Sequence, residues 1–211
     1  LILIAAVAGL IAGAVAVYVR TAGSGNANVA GTQVAAAGGA CEGTAELSLR
    51  VDELARGEVA AMTPVEPPRP IALSFQGPEG QDLQTGNFQG KTVLLNLWAT
   101  WCGPCREEMP ALNTLQTDMG GEDFEVVAVN IDTGSDEKPK AFLTETGVDA
   151  LAYYRDSSMG VFNALKKEGL AFGLPVTLLL DTNGCIVSAM NGPAAWDSPD
   201  AKAMISAAKG S

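Results

Sequence analysis

The sequence predicts an α/β domain built on a mixed central sheet. Apolar runs of strand length alternate with amphipathic segments of helical period. A hairpin follows that alternation, with Val176–Leu180 and Ile186–Met190 joined by the turn Asp181-Thr182-Asn183-Gly184. Cys102 and Cys105 stand where the apolar run Thr92–Trp98 gives way to the stripe Met109, Leu112, Leu115 and Met119.

Taken in order, Leu1–Val19 is almost wholly apolar and ends at Arg20. As a helix at about 1.5 Å per residue it would span roughly 28 Å, enough for a bilayer core. Tyr18 sits where an interfacial aromatic belongs. The run begins without methionine, so the native start is expected upstream. Residues 1–20 are read as an uncleaved transmembrane anchor. A cleaved signal peptide is the alternative, though its apolar region would be shorter. Either way the remainder is expected to be exported, into the periplasm. Residues 21–40 are small, uncharged and of low complexity, a flexible tether about 25 Å across as a coil. Its Gly-Ser-Gly-Asn has no helix-forming segment directly after it, which argues against a phosphate loop.

The folded region is expected over 41–211. Leu47, Val51, Leu54 and Val59 fall at near-helical spacing, with Gly57 a weak point. The proline-rich stretch Pro64–Pro70 must be extended or turned. Ile71–Phe75 alternates as a half-buried strand and leads into a Gly-Pro-Glu-Gly-Gln turn. Beyond the cysteines, Phe124–Asp132 reads as a second buried strand, Lys140–Thr146 as a short helix and Tyr153–Asp156 as an edge strand. Ser158–Leu165 and Asp200–Lys209 read as helices.

Composition narrows the function. Net charge is −11, and all 24 acidic residues lie beyond residue 40. This argues against nucleic acid and for protein partners. With no histidine in the chain, the usual general base and a Ser-His or Cys-His triad are absent. The four cysteines divide into one CxxC and one remote pair, Cys41 and Cys185, which suggests an oxidising compartment. A zinc site would need four ligands, and c-type haem attachment would need histidine where Arg106 stands. The acidic loop Gly134–Pro139 does not follow calcium-loop spacing. No metal site and no cofactor is expected.

Redox chemistry remains. A helix N-terminus carries unsatisfied N–H groups and the positive end of the macrodipole, both of which stabilise a thiolate. Free cysteine titrates near about 8.5, and CxxC thiols in such sites fall to roughly 3.5–7.5. Cys102 is the candidate nucleophile, and Cys105, one turn on, the thiol that resolves a mixed disulfide. Pro104 occupies the first turn, where a missing N–H does no harm.

The ordered strings FQGKTVLLNLWATWCGPCREEMPAL, FEVVAVNID and GLPVTLLLD resemble the thioredoxin fold. They more closely resemble the TlpA-like family of membrane-anchored thiol–disulfide oxidoreductases, of the alphaproteobacterial type. The likeness runs over roughly residues 41 to 210. It implies Cys102 as attacking and Cys105 as resolving cysteine, with Glu108 handling protons nearby. It implies a cis bond at Pro175, facing the CxxC, and a docking surface that includes Trp101. Asn96 stands where ordinary thioredoxins carry a buried aspartate, which leaves Glu108 as the nearest acid/base. The resemblance further implies a structural Cys41–Cys185 disulfide clamping the N-terminal segment.

The dipeptide Gly103-Pro104 is that of thioredoxins, whose couple lies near about −270 mV against about −120 mV for DsbA, so reduction is the favoured direction. The resemblance implies disulfide-bearing protein substrates, namely the copper-site cysteines of a cytochrome oxidase subunit or its copper chaperone. The alternative substrate is apocytochrome c. Electrons would come from a membrane donor of the DsbD or CcdA type. The enzyme would be a monomer on a single-pass anchor in a bacterial inner membrane, with its catalytic domain in the periplasm. Readings of another class fit less well: a peroxiredoxin wants TxxC where Thr100-Trp101-Cys102 stands, and a copper-binding chaperone wants CxxxC with histidine.

Overall fold

The computed structural model describes residues 41–209. The expected anchor (1–20) and tether (21–40) lie outside them. Among the described residues no helix is long and apolar enough to cross a membrane.

Helix α1, Thr44–Leu54, buries Leu47, Ser48 and Val51. The near-helical spacing that runs on to Val59 is not one helix: α1 ends at Leu54, and a separate 3-10 turn follows over Gly57–Val59, where Gly57 adopts φ +51. Glycine takes that backbone at little cost, and a Cβ there would collide with Asp200. Then come β1 (Thr63–Pro64), β2 (Ser74–Gln76), β3 (Asp82–Gln84) and β4 (Thr92–Trp98). They are followed by α2 (Gly103–Met119), β5 (Phe124–Asn130), α3 (Glu137–Glu145), β6 (Tyr154–Arg155) and α4 (Gly160–Lys167). The hairpin β7 (Val176–Leu180) and β8 (Ile186–Asn191) precedes α5 (Pro199–Lys209).

The strands form one eight-stranded mixed sheet in the order β1-β8-β7-β4-β5-β6-β2-β3. β4 runs parallel to β5 and antiparallel to β7. Buried on both faces, β4 is apolar throughout except for Thr92 at its start and Asn96. The strand expected at the sheet edge, β6, is interior: it pairs with β5 on one side and β2 on the other. The hairpin β2–β3 extends the sheet beyond it, and its second strand is only three residues long, too brief to show alternation.

Side-chain alternation sorts the core into two layers. Leu94 and Trp98 face α1, α2, α3 and α5, where they meet Leu47, Leu112, Phe142 and Met204. Val93, Leu95 and Leu97 face the opposite layer with Phe75, Val161 and Leu165.

Helix α1 is attached to β8 and its turn by more than apolar contact. Cys41 and Cys185 form a disulfide with Cα atoms 5.7 Å apart, across 144 residues of chain. Thr44 Oγ1 donates to Asp181 Oδ2 at 2.6 Å and Ser48 Oγ to the Val187 carbonyl at 2.9 Å. Cross-linking so long a loop restricts the unfolded chain, an effect of up to about 5 kcal/mol in the chain-entropy model. The double variant Cys41→Ser/Cys185→Ser, with the CxxC intact, is expected to lose roughly 2–5 kcal/mol of unfolding free energy in urea titrations. An unchanged midpoint would mean that α1 is held by packing and hydrogen bonds alone.

Candidate active site

The site is assembled where β4 ends and α2 begins. Cys102 is the N-cap of α2, and its Sγ accepts the Cys105 backbone N–H at 3.2 Å. In this structure the two cysteines are joined by a disulfide with Cα atoms 5.3 Å apart. Cys102 keeps 6% of its surface in solvent and Cys105 none, so only Cys102 is open to an incoming partner. Gly103 and Pro104 lie exposed in the first turn, and Trp101 is 60% exposed beside them. Trp98 is buried and packs its ring against Phe142.

The register Leu97↔Val176 brings the start of β7 to the end of β4. The Leu174–Pro175 peptide bond is cis, and the Pro175 carbonyl accepts the Gly192 N–H at 2.9 Å. Pro175 thus stands at the same end of the sheet as the cysteines. Cys185 lies at the far end of β7, beside the hairpin turn, and takes no part in this site.

A buried carboxylate outside the expected set fixes the loop ahead of the nucleophile. Asp132 accepts the Thr100 N–H at 2.8 Å, the Thr100 hydroxyl at 2.7 Å and the Asn130 amide at 2.7 Å. Asp132 follows β5 at the C-terminal ends of the parallel strands, where functional groups of open α/β sheets gather. That position was the available clue.

Glu108, one turn beyond Cys105, is 3% exposed. Its Oε1 accepts from Asn96 Nδ2 at 2.8 Å, and its Oε2 accepts from Trp196 Nε1 at 2.9 Å and the Ala194 N–H at 3.1 Å. Asn96 Nδ2 also donates to Thr177 Oγ1 at 2.9 Å across the β4–β7 pair. Burial pushes the carboxyl up from 4.5 to about 7, while the hydrogen bonds from Trp196, Asn96 and Ala194 pull the other way. Glu108 can therefore hold or release a proton near neutrality, the range useful for acid–base work. A small cavity lined by Glu58, Glu107, Ala111 and Pro193 reaches the same carboxyl from outside.

Sequence reasoning did not assign Trp196, Thr177 or Asp132 to the site. A lone tryptophan in the loop-like stretch NGPAAWDSPD is the signal that could have found Trp196, since a buried indole N–H needs a partner.

Two measurements test this geometry. Glu108 has a folded pKa of about 7 against 4.5 unfolded, so the folded protein binds the extra proton between those values. Stability must therefore fall as pH rises through that window. Relative to Glu108→Gln, the oxidised wild type should lose about 3 kcal/mol between pH 4.5 and pH 8. A stability difference that stays constant with pH would overturn the assignment. Asp132→Ala strands the Thr100 and Asn130 donors and should cost about 3 kcal/mol in urea unfolding; a loss within experimental error would show that the loop is held otherwise.

The chain is similar in sequence and in fold to several known proteins. Thioredoxin-like protein YneN of Bacillus subtilis is 38% identical over 119 residues, covering 54% of this chain and 64% of its own length. Thiol-disulfide oxidoreductase ResA of Bacillus thuringiensis subsp. konkukian is 28% identical over 120 residues, 54% of this chain and 62% of its own. The match thus spans less than two thirds of either relative. A solved structure from Chlorobium tepidum, assigned as thiol:disulfide interchange protein DsbE, superposes with TM-score 0.56 at 27% identity, covering 66% of this chain and 94% of that one. The fold is thioredoxin-like. The Redoxin family model matches residues 67–205, and the chain belongs to that family.

Proposed function

We propose that this chain is a thiol:disulfide oxidoreductase that reduces disulfides in partner proteins. One observation carries the reading: a CxxC whose first sulfur caps a helix and reaches solvent, while the second is buried one turn before a carboxyl of raised pKa. The names of ResA and DsbE support the same class of activity.

In the reduced protein the Cys102 thiolate attacks one sulfur of the substrate disulfide. A Cys102–substrate bond forms and the other substrate sulfur leaves as a thiolate. Cys105 then attacks Cys102 Sγ, closing the Cys102–Cys105 bond and releasing the second substrate sulfur. Two electrons pass to the substrate. Glu108 takes the proton from Cys105 as it becomes a nucleophile, with Asn96 and Trp196 holding the carboxylate formed. Trp101 and Pro175 flank the position of the incoming disulfide. The chemistry calls on no metal or cofactor.

The substrates we propose are the copper-site cysteines of a cytochrome oxidase subunit or of its copper chaperone, in the periplasm, with the chain tethered to the inner membrane. The Cys41–Cys185 clamp supports this reading, because it matches the second cysteine pair of the TlpA type. Reduction of apocytochrome c is the second reading, favoured by the likeness to ResA and DsbE. A membrane donor of the DsbD or CcdA type would renew the dithiol.

Insulin reduction with dithiothreitol as donor should proceed with the wild type and stop with Cys102→Ser. Absence of wild-type activity would sink the oxidoreductase reading. In cells, Cys105→Ser should accumulate a mixed disulfide through Cys102, and the partner's identity decides between oxidase and cytochrome c assembly.

A further inference from the structure

Among the described residues three large apolar side chains stand out into water: Leu49 at 59% exposure, Trp101 at 60% and Phe172 at 83%. Single exposed apolar residues are ordinary, so exposure alone assigns nothing. Phe172 differs in how its backbone is held. Asn191, at the end of β8, accepts the Phe172 N–H on Oδ1 at 2.8 Å and donates from Nδ2 to the Leu170 carbonyl at 2.9 Å. Leu170 and Ala171 are buried, and their N–H groups both bond the Leu165 carbonyl at the end of α4. With the preceding residues anchored inward and Asn191 spanning the turn, the phenyl ring is presented outward from a fixed backbone. An aromatic ring has only two torsions to lose on binding, which suits it to recognition.

Its position gives the presentation a use. Phe172 lies three residues ahead of cis Pro175. β7 begins immediately after that proline, opposite the end of β4, from which the chain runs on to Trp101 and Cys102. Two exposed aromatic residues therefore stand on two loops at one end of the sheet, the end that carries the nucleophile. The Phe172 N–H is already spent on Asn191, so what the residue offers is apolar surface.

We propose that Phe172 is a specificity residue for disulfide exchange, receiving an apolar side chain that lies next to the reacting cysteine of the substrate protein. This inference rests on the thiol:disulfide oxidoreductase reading above and adds the kind of substrate segment it selects.

The test is a cycle between enzyme and substrate. Two cyclic peptides, each closed by one disulfide, differ only in the residue after the first cysteine, leucine in one and serine in the other. The full chain, kept reduced by dithiothreitol, is assayed for kcat/KM on each. The wild type should prefer the leucine peptide about tenfold, within the range of apolar pocket discrimination. In Phe172→Ser the preference should fall to about twofold or less, while Leu49→Ser, which removes another exposed apolar side chain, this one from α1, should retain it. A preference equal in Phe172→Ser and wild type, or no wild-type preference, overturns the inference and leaves the oxidoreductase reading standing. Failure of the wild type to reduce either peptide overturns both. A change in sedimentation coefficient with unchanged preference would assign the ring to contact between copies of the chain and also overturn it.

Discussion

A carboxyl group sits in the interior of this fold, and much of the site is arranged around it. Taking a carboxylate out of water is expensive unless donors replace the lost solvent. Glu108 receives donors from Asn96 in β4, from the indole of Trp196 and from the Ala194 backbone, segments 12 to 88 residues away in sequence. Burial still outweighs those bonds, which leaves the carboxyl near 7. Fewer donors would push it higher and make it a fixed acid; more solvent would return it to an ordinary carboxylate. The intermediate balance is what allows one group both to keep a proton and to give it up at neutral pH.

That balance depends on parts of the fold far from the sulfurs. Trp196 lies just before α5, whose Ala201, Met204 and Ile205 pack in the same core layer as Leu47 and Val51 of α1. The Cys41–Cys185 disulfide fastens the start of α1 to the β7–β8 turn. The N-terminal clamp thus fastens α1 onto the core layer that Trp196 also enters, at the end of the sheet away from Cys102. On the other side of the nucleophile, Asp132 uses both carboxylate oxygens to hold Thr100. Cys102 is consequently set between a loop pinned by one buried acid and a helix backed by another.

The strands and the CxxC helix were legible because their signals are local. Thr92–Trp98 and Phe124–Asn130 are mostly apolar runs of strand length, and the cysteines mark where a helix starts. Helix ends were less so: α1 stops at Leu54, and the positive φ of Gly57 opens a separate 3-10 turn where a periodicity argument notes only a weak point. The interior placement of β6 was not legible, because two residues carry no pattern and their neighbours come from the distant β2. Within the site, residue types at fixed offsets from the cysteines could be picked out. Trp196, Thr177 and Asp132 stand at no such offset, because only sheet register and the return of α5 bring them to Asn96, Glu108 and Thr100.

Asn96 links these observations. In place of an ionisable group, the central strand carries an amide whose Nδ2 donates to both Glu108 and Thr177, while its Oδ1 is buried with no hydrogen-bond partner among the described residues. That orientation serves an ionised Glu108, which only accepts. A protonated Glu108 has a hydrogen to give, and that same Oδ1 is an acceptor left unspent. Amide oxygen and nitrogen have nearly the same shape, so turning the group over costs no volume. It would let Oδ1 accept from both the Glu108 acid and the Thr177 hydroxyl. An aspartate at this position would be a second acid competing for the proton, and a leucine would leave both states of Glu108 with one partner fewer. An amide is the side chain that can serve either protonation state without itself titrating. Its presence on β4 leaves Glu108 as the titrating member of this buried pair.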